Sequence, residues 1–173
     1  AAILGIQGGV DVLLFAWCPE ATIRTRSQVD KVPYDLWRDR GHLEATPGNV
    51  IDYRRIRARL KALGEQFEIA EVCYDPAFAT QLALQLQDED GFTVVPVTQG
   101  FESLNEPSVL VEMLVLGGRM RHGGHPVLAW AAANVVKDTD GGGRMRPSKK
   151  KSTERIDPFT ALVTGSRPVV GSS

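Results

Sequence analysis

Cysteine is scarce in this sequence: among 173 residues only Cys18 and Cys73 occur, too few for a disulfide framework and at no metal-ligand spacing. Both read as buried free thiols. Long hydrophobic runs are missing as well. No segment approaches the roughly 20 apolar residues of a membrane-spanning helix, so no membrane partner is expected. The opening AAILGIQGG has neither a basic leader nor a long apolar centre, and reads as a first strand instead of a signal peptide; a cytoplasmic location follows. Histidine is sparse, and His122 and His125 in RHGGHP are separated by a Gly-Gly turn with no cysteine at ligand spacing, so no zinc site is read. The G-x-x-x-x-G-K-[ST] phosphate loop is absent, and GIQGGV runs into another strand instead of opening a helix, which excludes nucleotide hydrolysis and a dinucleotide fingerprint. Nor is there a nucleophile elbow for Ser-His-Asp catalysis; TGS stands close to the end.

A strong charge of one sign is also lacking. With 20 Lys and Arg against 21 Asp and Glu, the formal net charge of −1 gives no global pull toward nucleic acid. The cations are unevenly spread, however. GGGRMRPSKKKSTER places Arg144, Arg146, Lys149, Lys150, Lys151 and Arg155 close together, either as a local attraction for phosphate or as a solvated mobile loop. A hydrophobic content of 43% is ordinary for a soluble globular protein, and a chain of this length makes one domain with a real core.

What is present has an order. AAILGI and VDVLLFAWC read as strands joined at Gly8 and Gly9, and ATIRTRSQV alternates like a third, half-exposed strand, giving three antiparallel strands side by side. A short helix is expected around Tyr34 to Arg40, anchored by Leu36 and Trp37. From Val50 the period changes: Ile56, Leu60, Leu63 and Phe67 recur at helical spacing, and Asp52 can cap the start. FEIAEVCYD then reads as a strand ending at Asp75, followed by a helix from Pro76 to Gln87 and a strand in FTVVPV, which predicts parallel additions by right-handed crossovers. EPSVLVEMLVLGGRM and HPVLAWAAANVV give further helices, a Gly-rich basic loop follows, and STERIDPFTALVTG forms the last helix. The expected fold is α/β, a mixed sheet with antiparallel strands first and parallel strands after, flanked by helices. Residues 1–166 make the core and 167–173 a flexible tail.

Two Asp-Pro pairs stand at helix starts, Asp75-Pro76 and Asp157-Pro158. An aspartate there caps free N–H groups, and proline is favoured at the first helical position because it has no N–H to leave unsatisfied. Asp75 also falls outside the carboxyl end of a parallel strand, where such sheets bind ligands. A carboxylate has about four lone-pair sites, so one oxygen can cap while the other holds Mg²⁺ or Mn²⁺. Further ligand candidates are Asp11 in the hairpin, Glu71 on the face of the strand that carries Asp75, and Glu154 one helical turn before Asp157.

Several long segments, VPYDLWRDRGHLEATPGNVIDY, YDPAFATQLALQLQDEDGFTVVPVTQGFESLNEP, GGRMRHGGHPVLAWAAANVV and KKKSTERIDPFTALV, resemble in order the nuclease half of the large terminase subunit of tailed double-stranded DNA phages. The resemblance implies a ribonuclease H-like fold and a Mg²⁺- or Mn²⁺-dependent endonuclease that cuts concatemeric double-stranded DNA during genome packaging. It also implies partners: an ATPase motor domain preceding this segment in the full-length protein, the small terminase subunit and the portal. Carried over by position, the second family acid falls on Asp75 and the last on Asp157, making these the catalytic and metal-binding pair. The first falls on Gln7 in GIQGGVD, where an Asp is normal. An altered terminus, a changed active site, or a register in which Asp11 takes over as a metal ligand each accounts for this. The basic residues Arg144, Arg146, Lys149, Lys150, Lys151 and Arg155 would contact the DNA backbone. The rival reading is a non-catalytic DNA-clamping or portal-docking module on the same fold.

Overall fold

The computed structural model describes residues 2–6 and 8–167. Along the chain run β1 (Ala2–Ile6), β2 (Gly9–Leu13), β3 (Trp17–Pro19), α1 (Glu20–Asp30), α2 (Tyr34–Asp39), β4 (Glu44–Thr46), α3 (Tyr53–Gly64) and β5 (Val72–Tyr74). After these come α4 (Pro76–Asp88), β6 (Val94–Pro96), α5 (Phe101–Leu116), β7 (Met120–Arg121), α6 (Pro126–Asn134), β8 (Lys137–Thr139), β9 (Met145–Pro147) and α7 (Asp157–Gly165). No helix among the described residues is long and apolar enough to cross a membrane.

The opening hairpin forms as its glycines require. β1 and β2 pair antiparallel, with Leu4 opposite Asp11, and Gly8 takes a φ of +78°, the left-handed conformation that a tight reversal needs. Gly9 is small for another reason: a Cβ there would lie 2.2 Å from the Arg119 carbonyl oxygen, which also accepts the Val10 N–H at 2.9 Å. That close approach seats β7 parallel to β2, with Asp11 opposite Arg121. Two more parallel pairs, β3 with β4 and β5 with β6, are each bridged by helical crossovers. Apolar side chains from the strands and from α1, α2, α5, α6 and α7, including Val12, Trp37, Leu104, Val111, Leu128 and Val163, form the buried core.

Three expectations are corrected. ATIRTRSQV is not a strand: it lies in α1, whose inward positions Thr22, Ile23, Arg26, Ser27 and Asp30 follow a helical period. Only Ile23 among them is apolar, so hydrophobicity does not trace this face. The third strand of the first sheet is β7, and it runs parallel to β2. In α2 the anchors are Tyr34 and Trp37, at 5% and 6% exposure, whereas Leu36 points outward at 41%. The Gly-rich basic loop contains an antiparallel hairpin, β8 with β9, turned at Asp140: its Oδ1 accepts the N–H groups of Gly142 at 3.0 Å and Arg144 at 2.9 Å. The helices α3 and α4 follow the sequence reading, and Asp52 Oδ1 caps α3 by accepting the Arg54 N–H at 3.0 Å. Residues 168–173 of the expected tail lie outside the described residues.

Candidate metal and nucleic-acid site

β5 delivers Asp75 to the start of α4. There it is the N-cap: Oδ1 accepts the Ala77 N–H at 3.0 Å, and Pro76 occupies the first helical turn. The cap uses one oxygen and leaves the carboxylate with lone pairs to spare. Asp157 meets its helix differently. Ile156 is the N-cap of α7 and Asp157 the first helical residue, so its carboxylate projects outward, 63% exposed, and pairs with the Lys149 ammonium. Negative charge is favoured at both places by the positive end of the helix dipole.

Both aspartates line one cleft of about 700 Å³, walled by Ile3, Leu4 and Gly5 of β1, by the stretch 67–75 that leads through β5, and by one side of α7. It runs alongside β5, and Asp75 stands just past the carboxyl end of that strand in its parallel pair with β6. Glu71 and Lys149 also line it, as does Arg167, whose Nη1 donates to Glu71 at 2.8 Å. Asp11 is not part of that lining. Arg121 grips it from β7 with Nε at 2.6 Å and Nη2 at 2.9 Å, and these hydrogen bonds hold its carboxyl below the usual aspartate value. Gln7 lies outside the described residues. Glu154 precedes α7 in irregular chain, so it is not a helical turn ahead of Asp157.

The basic run is largely engaged within the protein. Arg144 pairs with Asp140 at 2.8 Å; Arg146 lies over the Phe101 ring at 4.3 Å and donates to the Gln99 carbonyl at 2.6 Å. Lys151 pairs with Asp138 at 2.5 Å, and Arg155 Nε donates to Asp30 at 3.0 Å. Lys150 is exposed and has no ion pair among the described residues. Sequence reasoning missed the partners Asp138, Asp140 and Arg167; the D-G-G-G turn was the signal available for the hairpin that places the first two.

Other nucleophiles and ligands offer less. Cys18 is 1% exposed, and burial, aided by Glu71, pushes the Cys73 thiol up and keeps it protonated. His125 lies edge-on to His42 with ring centres 5.2 Å apart, and burial and the neighbouring imidazoles lower its proton affinity. Among the described residues no three His, Cys, Asp or Glu side chains converge as metal donors. The cleft nevertheless fits a hard divalent cation in donor chemistry. Mg²⁺ is commonly held by one or two carboxylates, with waters and substrate phosphates completing its shell, and the Lys149 ammonium already places positive charge on Asp157.

Comparison with known proteins agrees with this architecture. The mixed α/β arrangement matches crystal structures of large-terminase nucleases, and the fold is ribonuclease H-like. The structure of the HK97 bacteriophage large terminase superposes with a TM-score of 0.85 at 33% identity, covering 94% of this chain and 34% of that one. The nuclease of thermophilic phage G20c with bound magnesium matches in fold alone, with a TM-score of 0.51 at 17% identity over 68% of this chain and 62% of that one. The family model for the terminase large subunit, endonuclease domain, matches residues 12–168, and the chain belongs to this family. Relatives include the terminase large subunit of Enterobacteria phage HK97, 34% identical over 90% of this chain, and Protein YmfN of Escherichia coli (strain K12), 32% identical over 75%. The chain spans about a third of these relatives, 31% and 29% of their lengths.

The cap at Asp75 separates its structural from its electrostatic role. Asp75→Ala should lower unfolding free energy by about 1 kcal/mol in urea denaturation, whereas Asp75→Asn, an equally good cap, should stay within about 0.5 kcal/mol of the parent. Equal losses in both variants would contradict the capping geometry.

Proposed function

We propose that this chain is a metal-dependent DNA endonuclease domain of a viral genome-packaging terminase, cutting concatemeric double-stranded DNA in the host cytoplasm. The observation that carries the reading is the meeting of Asp75 and Asp157, each at the start of a helix, in one cleft outside β5. When bound, Mg²⁺ or Mn²⁺, as one or two ions, supplies activation of water for attack on the phosphodiester and neutralisation of the leaving 3′ oxygen. Asp75 and Asp157 are the groups that would hold it. Asp75 would contribute an oxygen fixed in direction by its cap, and Asp157 an exposed carboxylate whose present partner is Lys149. Lys149, which lines the cleft, and the exposed Lys150 would be the groups to meet phosphate. The greater length of the relatives supports a longer protein in which an ATPase motor domain, the small terminase subunit and the portal act with this domain, residues 1–173 forming a single nuclease unit.

A second reading draws on a specific observation. Glu71 and Asp157 are each neutralised by a cation of the chain itself, as a DNA-clamping module without catalysis would allow. Supercoiled plasmid with Mn²⁺ separates the two: the parent should nick and linearise it, and Asp75→Asn and Asp157→Asn should each reduce the rate at least about a hundredfold, as expected for loss of charge stabilisation at a reacting phosphate. Equal cleavage by all three would refute the metal-site reading, and DNA binding without cleavage would favour the clamp.

The lysines make a separate prediction. Replacing Lys149, Lys150 and Lys151 together by Ala should weaken binding of a duplex and flatten the dependence of log K on log salt by about one unit per lost phosphate contact. An unchanged slope in a filter-binding titration would take this run off the DNA path.

A further inference from the structure

One buried acid plays no part in the cleft. α1 ends at Asp30, whose side chain is only 4% exposed. A carboxylate is costly to bury unless it is paired and hydrogen-bonded. Both of its partners reach the same oxygen: the Tyr34 hydroxyl donates to Oδ2 at 2.6 Å and Arg155 Nε at 3.0 Å. Burial, followed by the bond to Asp30, pushes the Tyr34 hydroxyl up, so it stays a donor. The Tyr34 ring is itself braced by Trp37 and Trp130, at centroid distances of 5.3 and 6.3 Å. Asp30 is therefore a fixed point on a wall built from α1, α2 and α6.

What it holds lies 125 positions further along the chain, two residues before Asp157. Three consecutive side chains part company there. Arg155 reaches back to Asp30, Ile156 is sealed in the core at 1% exposure as the N-cap of α7, and Asp157 emerges into the cleft. The segment before Asp157 has no strand of its own to fix it, since β9 ends at Pro147. A half-exposed arginine tied only to a surface acid would contribute little; a buried acceptor gives this one a single place to go.

We propose that Asp30 is a positioning residue: through Arg155 it fixes the first turn of α7 and with it the Asp157 carboxylate. Its bearing on metal binding rests on the nuclease reading of the cleft; its hold on the backbone does not. Arg155, expected from the sequence to touch DNA, is by this proposal also part of the framework.

Two readouts test this, one of them free of metal. In amide hydrogen exchange, Asp30→Asn should speed exchange of the Thr160 N–H, which closes the first turn on the Ile156 carbonyl at 2.8 Å, by about tenfold, while the Ser166 N–H at the other end of α7 keeps its rate. In calorimetric titration with Mn²⁺, the same change should weaken binding about fivefold in the parent and have no effect in an Asp157→Asn background, because the two act through one group. Arg155→Lys should retain part of both effects of the native residue. Should Asp30→Asn fail to fold, Tyr34→Phe, which leaves the ion pair in place, should still show a smaller acceleration confined to the same turn. Acceleration spread evenly over α7, or equal loss of Mn²⁺ affinity in both backgrounds, would overturn the proposal. A parent that binds no Mn²⁺ yet shows the local exchange effect would remove the metal site and uphold the positioning role.

Discussion

α7 ties together parts of the chain that no strand pairing joins. Ile156, Leu162 and Val163 are 1%, 2% and 0% exposed, and α7 packs against α5, α6, β1 and β5. At roughly 2 kcal/mol for each fully buried aliphatic side chain, this seam is worth a large fraction of the net stability of a domain. The cleft is its by-product. While Leu162 and Val163 are buried in the core, α7 presents Asp157, Thr160, Ala161, Thr164 and Gly165 to the cleft beside β1 and β5. Any shift of the seam would move Asp157 relative to Asp75.

Charge in the cleft is balanced from within. Lys149 answers Asp157, Arg167 answers Glu71, and the Asp75 carboxylate accepts the Ala77 amide in the first turn of α4. Each cleft carboxylate thus has a partner within the chain, and under the proposed function a divalent cation would compete with Lys149 for Asp157. Asp11, on β2 beside the cleft-lining β1, is gripped instead by the fork of Arg121.

Much of the fold was legible because local rules and tertiary need agree. Asp-Pro favours a helix start, so α4 could be placed from two residues, whereas the last helix, read from STERIDPFTALVTG, begins only at Asp157; the change from period two to period 3.6 marked the crossovers around β5 and β6. α1 was hidden because its inner face carries Thr22, Arg26, Ser27 and Asp30 beside a single isoleucine, and a polar face gives no hydrophobic period. The pairing of the two aspartates in one cleft came from topology and family likeness, not from spacing. The distant partners of the basic run were invisible, since hydrogen bonds spanning 42, 47 and 125 positions leave no trace in local pattern.

The central claim, that Asp75 and Asp157 share a divalent cation, is tested most directly by anomalous diffraction at the manganese edge from crystals soaked in Mn²⁺. The account predicts at least one peak in the cleft, about 2 Å from an oxygen of each aspartate, with Lys149 withdrawn from Asp157. A cleft without an anomalous peak, or a peak bound at Asp11 instead, would contradict it.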